Sequence, residues 1–80
     1  MKFTVKRTAQ RIYARLQTHS HLRLAIMLTH GCVRTFDVSS ESIEGLGRNF
    51  RLVGVYDRDA PADQIGGDIQ FVMDQVAQER

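Results

Sequence analysis

The spacing of apolar and polar positions changes period several times along the chain, and each change predicts an element. Phe3 and Val5 alternate with Lys2, Thr4 and Lys6, the pattern of a short half-buried strand. From Thr8 the interval lengthens. Ala9, Ile12, Tyr13 and Leu16 fall at i, i+3, i+4 and i+7, which is one face of a helix with Thr8 as its N-cap. The same stretch also alternates through Ile12, Ala14 and Leu16, so residues 9–18 read as a helix first and a strand second. Leu22, Leu24, Ile26 and Leu28 then alternate with Arg23, Ala25, Met27 and Thr29, which predicts a strand. His30-Gly31 follows as a tight turn, because Gly31 can take positive φ. Cys32 to Val38, rich in β-branched and aromatic residues, returns as the hairpin partner.

Ser39 and Ser40 are expected to cap a short helical turn that Gly45 and Gly47 stop. Phe50 to Tyr56 predicts a further strand, with Gly54 marking a bulge or a close approach. Pro61 suits the first turn of the clearest helix, whose apolar stripe is Ile65, Ile69, Val72, Met73 and Val76 and whose cap is Asp59. Gly66-Gly67 weakens that helix by up to ~1 kcal/mol per glycine relative to alanine. A regular helix is therefore expected only from Asp68. The sum is an α+β fold, a small antiparallel sheet with the C-terminal helix packed on one face. With residues 9–18 helical, the element order resembles a ferredoxin-like core; with them extended, it is an antiparallel meander.

Composition narrows the function classes. Eighty residues make one domain, 1–80, without repeat or linker. A chain of this size buries only about 60% of its unfolded surface, and a deep cofactor cavity would remove most of its core, so no cofactor is expected. Cys32 is the only cysteine, which precludes an internal disulfide and fits a cytoplasmic setting. The longest apolar run, Leu24 to Leu28, falls far short of the ~20 residues of a membrane span, so the chain reads as soluble with no membrane partner.

Charge changes the picture most. The net charge is +2, but Lys2, Lys6, Arg7, Arg11, Arg15, Arg23 and Arg34 lie in residues 1–34 with no acid among them, a block of +7. Residues 35–80 carry nine acids against Arg48, Arg51, Arg58 and Arg80, a block of −5. Such segregation either folds back on itself, the two halves neutralising each other, or faces a charged partner. Arg11 and Arg15 share a face in a helix and in a strand alike. In a helix, Arg7 and His19 extend the stripe. In a strand, Tyr13 stands between the arginines as a stacking platform of the kind single-stranded nucleic acid uses. Arg7, Arg11, Tyr13 and Arg15 are thus the expected partner-binding residues, against the plainer alternative of a solvated face.

Catalytic patterns are weak. His19-Ser20-His21 with His30-Gly31-Cys32 offers four soft ligands, but at no established zinc spacing, and no metal is expected. Asp57, Asp59 and Asp63 lack the glycine and oxygen positions of a calcium loop and suit the positive end of a helix instead. Gly45-Leu46-Gly47 leads into a strand, whereas a phosphate cradle leads into a helix. G-x-S-x-G is absent, and Cys32 beside His30 has no third group to orient the histidine. The chain is expected not to be an enzyme. In size, α+β build, split charge and lack of catalytic motif it resembles the small phage-encoded inhibitors of CRISPR–Cas complexes (anti-CRISPR proteins). That resemblance implies a protein that attaches to a CRISPR effector and obstructs target-DNA recognition. Many such inhibitors are acidic mimics of DNA, from which this basic chain departs, so an acidic surface on a protein or nucleoprotein complex is the expected partner. The alternative is a small nucleic-acid-binding regulator using the same basic residues. A homodimer is also expected, because Ala25 and Met27 make the second sheet face partly apolar and one C-terminal helix covers only one face. A helix at residues 9–18 lying on that second face would give a monomer instead.

Overall fold

The computed structural model describes residues 4–38 and 50–79. They form two helices and three strands in the order α1 (Val5–Thr18), β1 (Leu24–Thr29), β2 (Cys32–Asp37), β3 (Arg51–Tyr56) and α2 (Ala62–Gln78). The sheet is antiparallel throughout, with strand order β2-β1-β3, so β1 is the central strand. This is the expected α+β class, with α2 packed against β3 and β1. The ferredoxin-like order is not formed by the described residues. It needs a strand ahead of the first helix, and Val5 and Lys6, expected to be extended, are already helical. The reason lies in the longer pattern: Val5, Ala9, Ile12 and Leu16 form one continuous stripe, and three alternating positions cannot compete with it. The meander is likewise not formed, because residues 9–18 are helix. Thr8 is consequently inside α1, and its amide donates to the carbonyl of Thr4 at 3.0 Å.

The hairpin follows its turn chemistry. His30 and Gly31 both adopt positive φ, 49° and 78°, which matches the right-handed twist of the flanking strands. Pairing from Thr29–Cys32 through Leu24–Asp37 then puts Val33, Thr35 and Asp37 on the same face as Leu28, Ile26 and Leu24. On the other side of β1 the register passes from Ile26–Gly54 to Met27–Leu52, leaving Val53 as a bulge beside Gly54. A Cβ on Gly54 would stand 2.6 Å from the Tyr56 hydroxyl oxygen, so the ring of Tyr56 lies folded over the glycine. Both expectations for Gly54 hold.

Both helices lie on one face of the sheet. Ala9, Ile12 and Leu16 of α1 join Ile65 and Ile69 of α2 over Leu24, Ile26 and Tyr56 in a single core cluster. Gln17 bonds the Arg58 carbonyl while Ala9 lies against Gly66, so the helices run antiparallel. That packing corrects the expected start of the second helix. α2 is regular from Ala62, with Gly66 and Gly67 inside it, and a Cβ at Gly66 would touch that of Ala9 at 3.4 Å. Close helix approach thus accounts for Gly66 where propensity alone argued for a break. Asp59 does not cap α2; Pro61 holds that position, and Asp57 accepts a hydrogen bond from the Asp59 amide at 2.9 Å in the preceding turn. Tyr56 donates to Asp68 at 2.6 Å and Arg51 pairs with Glu79 at 2.5 and 2.7 Å, so both ends of β3 are tied to α2.

The second sheet face carries no helix among the described residues. Ala25 and Met27 are nevertheless buried there, flanked by Phe36 and Val55 and by Arg34 and Leu52 in the register. Phe50, entering β3, meets Phe36 edge-on with ring centroids 6.0 Å apart. The helical turn expected at Ser39, Ser40, Gly45 and Gly47 lies outside the described residues.

Candidate functional site

The basic stripe of α1 follows from the stripe that anchors it. Ala9, Ile12 and Leu16 are buried, and residues about 100° apart per position around the helix then place Arg7, Arg11 and Arg15 on one line along its outer side. Successive arginines rise about 6 Å along the axis. All three are exposed, and neither Arg7 nor Arg11 has an ion-pair partner among the described residues. Arg15 is held differently. Its guanidinium donates to the Thr35 hydroxyl on β2 over a long 3.3 Å, leaning the C-terminal end of the stripe toward the hairpin. The Arg51–Glu79 ion pair joins two residues of the acidic half, so it does not neutralise the basic block. Its partners sharpen each other: the Glu79 hydrogen bond and charge raise the Arg51 pKa, and the Arg51 hydrogen bond holds the Glu79 carboxyl below its ordinary value.

Tyr13 does not join the arginines. Two residues on a helix lie about 200° apart, so Tyr13 turns away from Arg11 and Arg15 toward the α2 side, where it is half-exposed. The stacking platform needed an extended chain and is not formed. His19 also leaves the stripe: it is the C-cap of α1, with extended backbone (φ −120°, ψ 96°). It is instead one of the residues lining a groove of about 650 Å³, with Arg15, Thr18, Ser20, His21, Leu22 and Asp37 of β2. Sequence reasoning missed Thr35 and Asp37 as neighbours of the stripe. The signal was present in the hairpin register, which assigns both to the helix-bearing face.

The first turn of α1 is electrostatically adverse. It holds Lys6 and Arg7 with no acid, and Thr4 makes no side-chain cap. Cations at a helix N-terminus oppose its dipole by roughly 0.3–1 kcal/mol each at the surface. Their presence is a local cost that packing does not require.

The weaker candidate chemistry, which the sequence did not lead us to expect, is pulled apart. His19 and His21 precede β1 while His30 and Cys32 follow it, and six extended residues separate the pairs by about 20 Å. Among the described residues no group of three or more His, Cys, Asp or Glu could hold a metal ion. Asp57 and Asp59 shape the turn before α2, and Asp63 lies in its first turn, where it complements the dipole. Cys32 is exposed on β2. No helix of the described residues is long and apolar enough to cross a membrane.

Fold and surface together define a small α+β domain that carries an arginine stripe on the outer side of its helical layer, with Arg7 and Arg11 lacking an ion-pair partner among the described residues. Compared with known proteins, the chain matches no family model, and no curated protein or solved structure is significantly similar to it.

Proposed function

We propose that this chain is a non-enzymatic protein-binding inhibitor or adaptor that docks through Arg7, Arg11 and Arg15 of α1 onto an acidic surface. The observation that carries the reading is the exposed stripe whose Arg7 and Arg11 have no ion-pair partner among the described residues. Charges left unpaired in the fold are available to a partner, where they speed encounter and suppress wrong docking. The resemblance to small phage-encoded CRISPR–Cas inhibitors supplies the first candidate partner, an acidic region of a CRISPR effector complex whose occupation would obstruct target-DNA recognition. Tyr13, on the α2 side of the helix, belongs to this surface only at its rim. The reading needs no second copy of the chain.

The test is binding of the purified chain to purified CRISPR effector complexes, with the Arg7→Glu plus Arg11→Glu variant beside it. The expected outcome is capture by an effector and a loss of at least about tenfold in affinity for the variant. Equal binding of both proteins removes the stripe from the interface. The nucleic-acid alternative predicts binding to random oligonucleotides at ~50 mM salt with a log-linear decline as salt rises. The docking reading predicts no such binding, since Asp63 and Asp74 are exposed on α2, in the same layer as the stripe, and oppose an extended polyanion.

A further inference from the structure

We propose that the groove at the C-terminal end of α1 is a carboxylate-binding subsite, taking one aspartate or glutamate side chain of the partner at the end of the arginine stripe. The inference rests on the docking reading and specifies what the end of that stripe recognises. The groove collects Arg15, His19 and His21 from α1 and the loop after it, so one guanidinium-bearing and two imidazole-bearing residues line one concavity. A guanidinium presents paired N–H donors in the geometry a carboxylate accepts, and a neutral imidazole adds one N–H. Arg15 is positioned for this by Thr35, which receives one of its N–H groups. Thr18 contributes shape only, because its hydroxyl donates back to the Ala14 carbonyl at 2.9 Å. Leu22, partly buried against the core, gives the groove an apolar wall for a side-chain stem.

Charge selects a carboxylate over a phosphate. Asp37 also lines the groove and is itself engaged by another group. Arg15 is the one formally cationic side chain among the groove's described lining residues, so it matches a single negative charge. A single negative charge is met by the guanidinium and the imidazole donors, whereas a phosphate dianion would bring a second charge that no lining Lys or Arg meets. The long axis of the stripe feeds the groove, so a partner presenting acids one helical turn apart would place successive carboxylates on Arg7, Arg11 and then here.

The experiment is amide NMR of the intact chain titrated with a blocked peptide bearing adjacent glutamates, its glutamine counterpart and inorganic phosphate. Expected are saturable shifts at His19 to Leu22 with the glutamate peptide and none with the glutamine peptide. Arg15→Ala and the His19→Ala plus His21→Ala pair should each weaken that binding by about tenfold or more, and Arg15→Lys should keep the charge but lose part of the affinity with the fork. Binding of phosphate without the glutamate peptide would overturn the assigned ligand class, and absence of saturable shifts with either anion would overturn the site. The docking reading is read instead from effector binding by the Arg7→Glu plus Arg11→Glu variant, and the subsite from the peptide titration of the parent chain. Failure of the docking reading and failure of the subsite are therefore read separately.

Discussion

At the scale of single residues the fold depends most on the triangle Gly54, Tyr56 and Asp68. The Tyr56 ring occupies the space a Gly54 side chain would need, and its hydroxyl reaches Asp68 on the neighbouring helix. Gly54→Ala is expected to destabilise by about 1–3 kcal/mol, because ring and methyl cannot share that space, and urea denaturation checks it. Gly67 is the contrasting case. A Cβ there meets nothing within 4 Å, so Gly67→Ala is expected to raise stability by about 0.5–1 kcal/mol in the same assay. Burial first, then the hydrogen bond to Asp68 and its charge, raises the Tyr56 pKa well above the ordinary tyrosine value. An unfolded tyrosine loses its proton near pH ~10 while folded Tyr56 keeps it, so above that pH the unfolded state binds fewer protons. The stabilisation is therefore complete below pH ~10 and is lost as pH rises through the folded value. Tyr56→Phe, which lacks the titrating proton, should lose less stability between about pH 9 and about pH 11 than the parent does, although it begins about 1–2 kcal/mol lower. Sequence marked Gly54 through its place in a strand. It did not mark the ring or the acid, because their meeting depends on where α2 crosses β3.

At the scale of elements, propensity and periodicity located both helices and the hairpin and misjudged their ends. Each error has a tertiary cause. Val5 is helical because it completes the stripe that packs beside α2. Gly66 stays helical because Ala9 needs a close neighbour. Within α1 the arginine line was legible from four-residue spacing alone, whereas the place of Tyr13 depended on choosing helix over strand. The first turn of α1 yields a prediction that separates stability from function. Arg7→Glu replaces a cation with an anion at the helix N-terminus, so the variant should be more stable by roughly 0.3–1 kcal/mol. It should also bind the acidic partner less tightly. A gain in thermal midpoint together with a loss of affinity is the expected pair of results; a loss of both would show that Arg7 supports the fold rather than the interface.

At the scale of the whole molecule, charge and layer order decide what the surface can meet. The stripe of the basic half runs along the outer side of the helical layer, and the opposite face of the sheet carries no helix among the described residues. The expected homodimer rested on that face being open around Ala25 and Met27, with a monomer following if the first helix covered it. Neither condition holds. α1 joins α2 on the first face, yet Ala25 is fully buried and Met27 is 4% exposed within a single chain. Among the described residues, what stays exposed on that face is the outer margin on β3, Leu52 at 47% and Val55 at 39%, while Phe71, at 63%, is on α2. Two half-exposed aliphatic side chains fall well within the few hundred Å² of apolar patch that ordinary monomers carry. A stable two-fold interface needs roughly 800 Å² from each partner, with an apolar centre. The centre here is already closed. We therefore expect sedimentation equilibrium to give a constant mass near 9.1 kDa over a hundredfold range of concentration. A mass that rises with concentration, and falls back on Leu52→Lys plus Val55→Lys, would instead establish pairing through the β3 margin. It would leave the arginine stripe on the opposite layer free in both subunits.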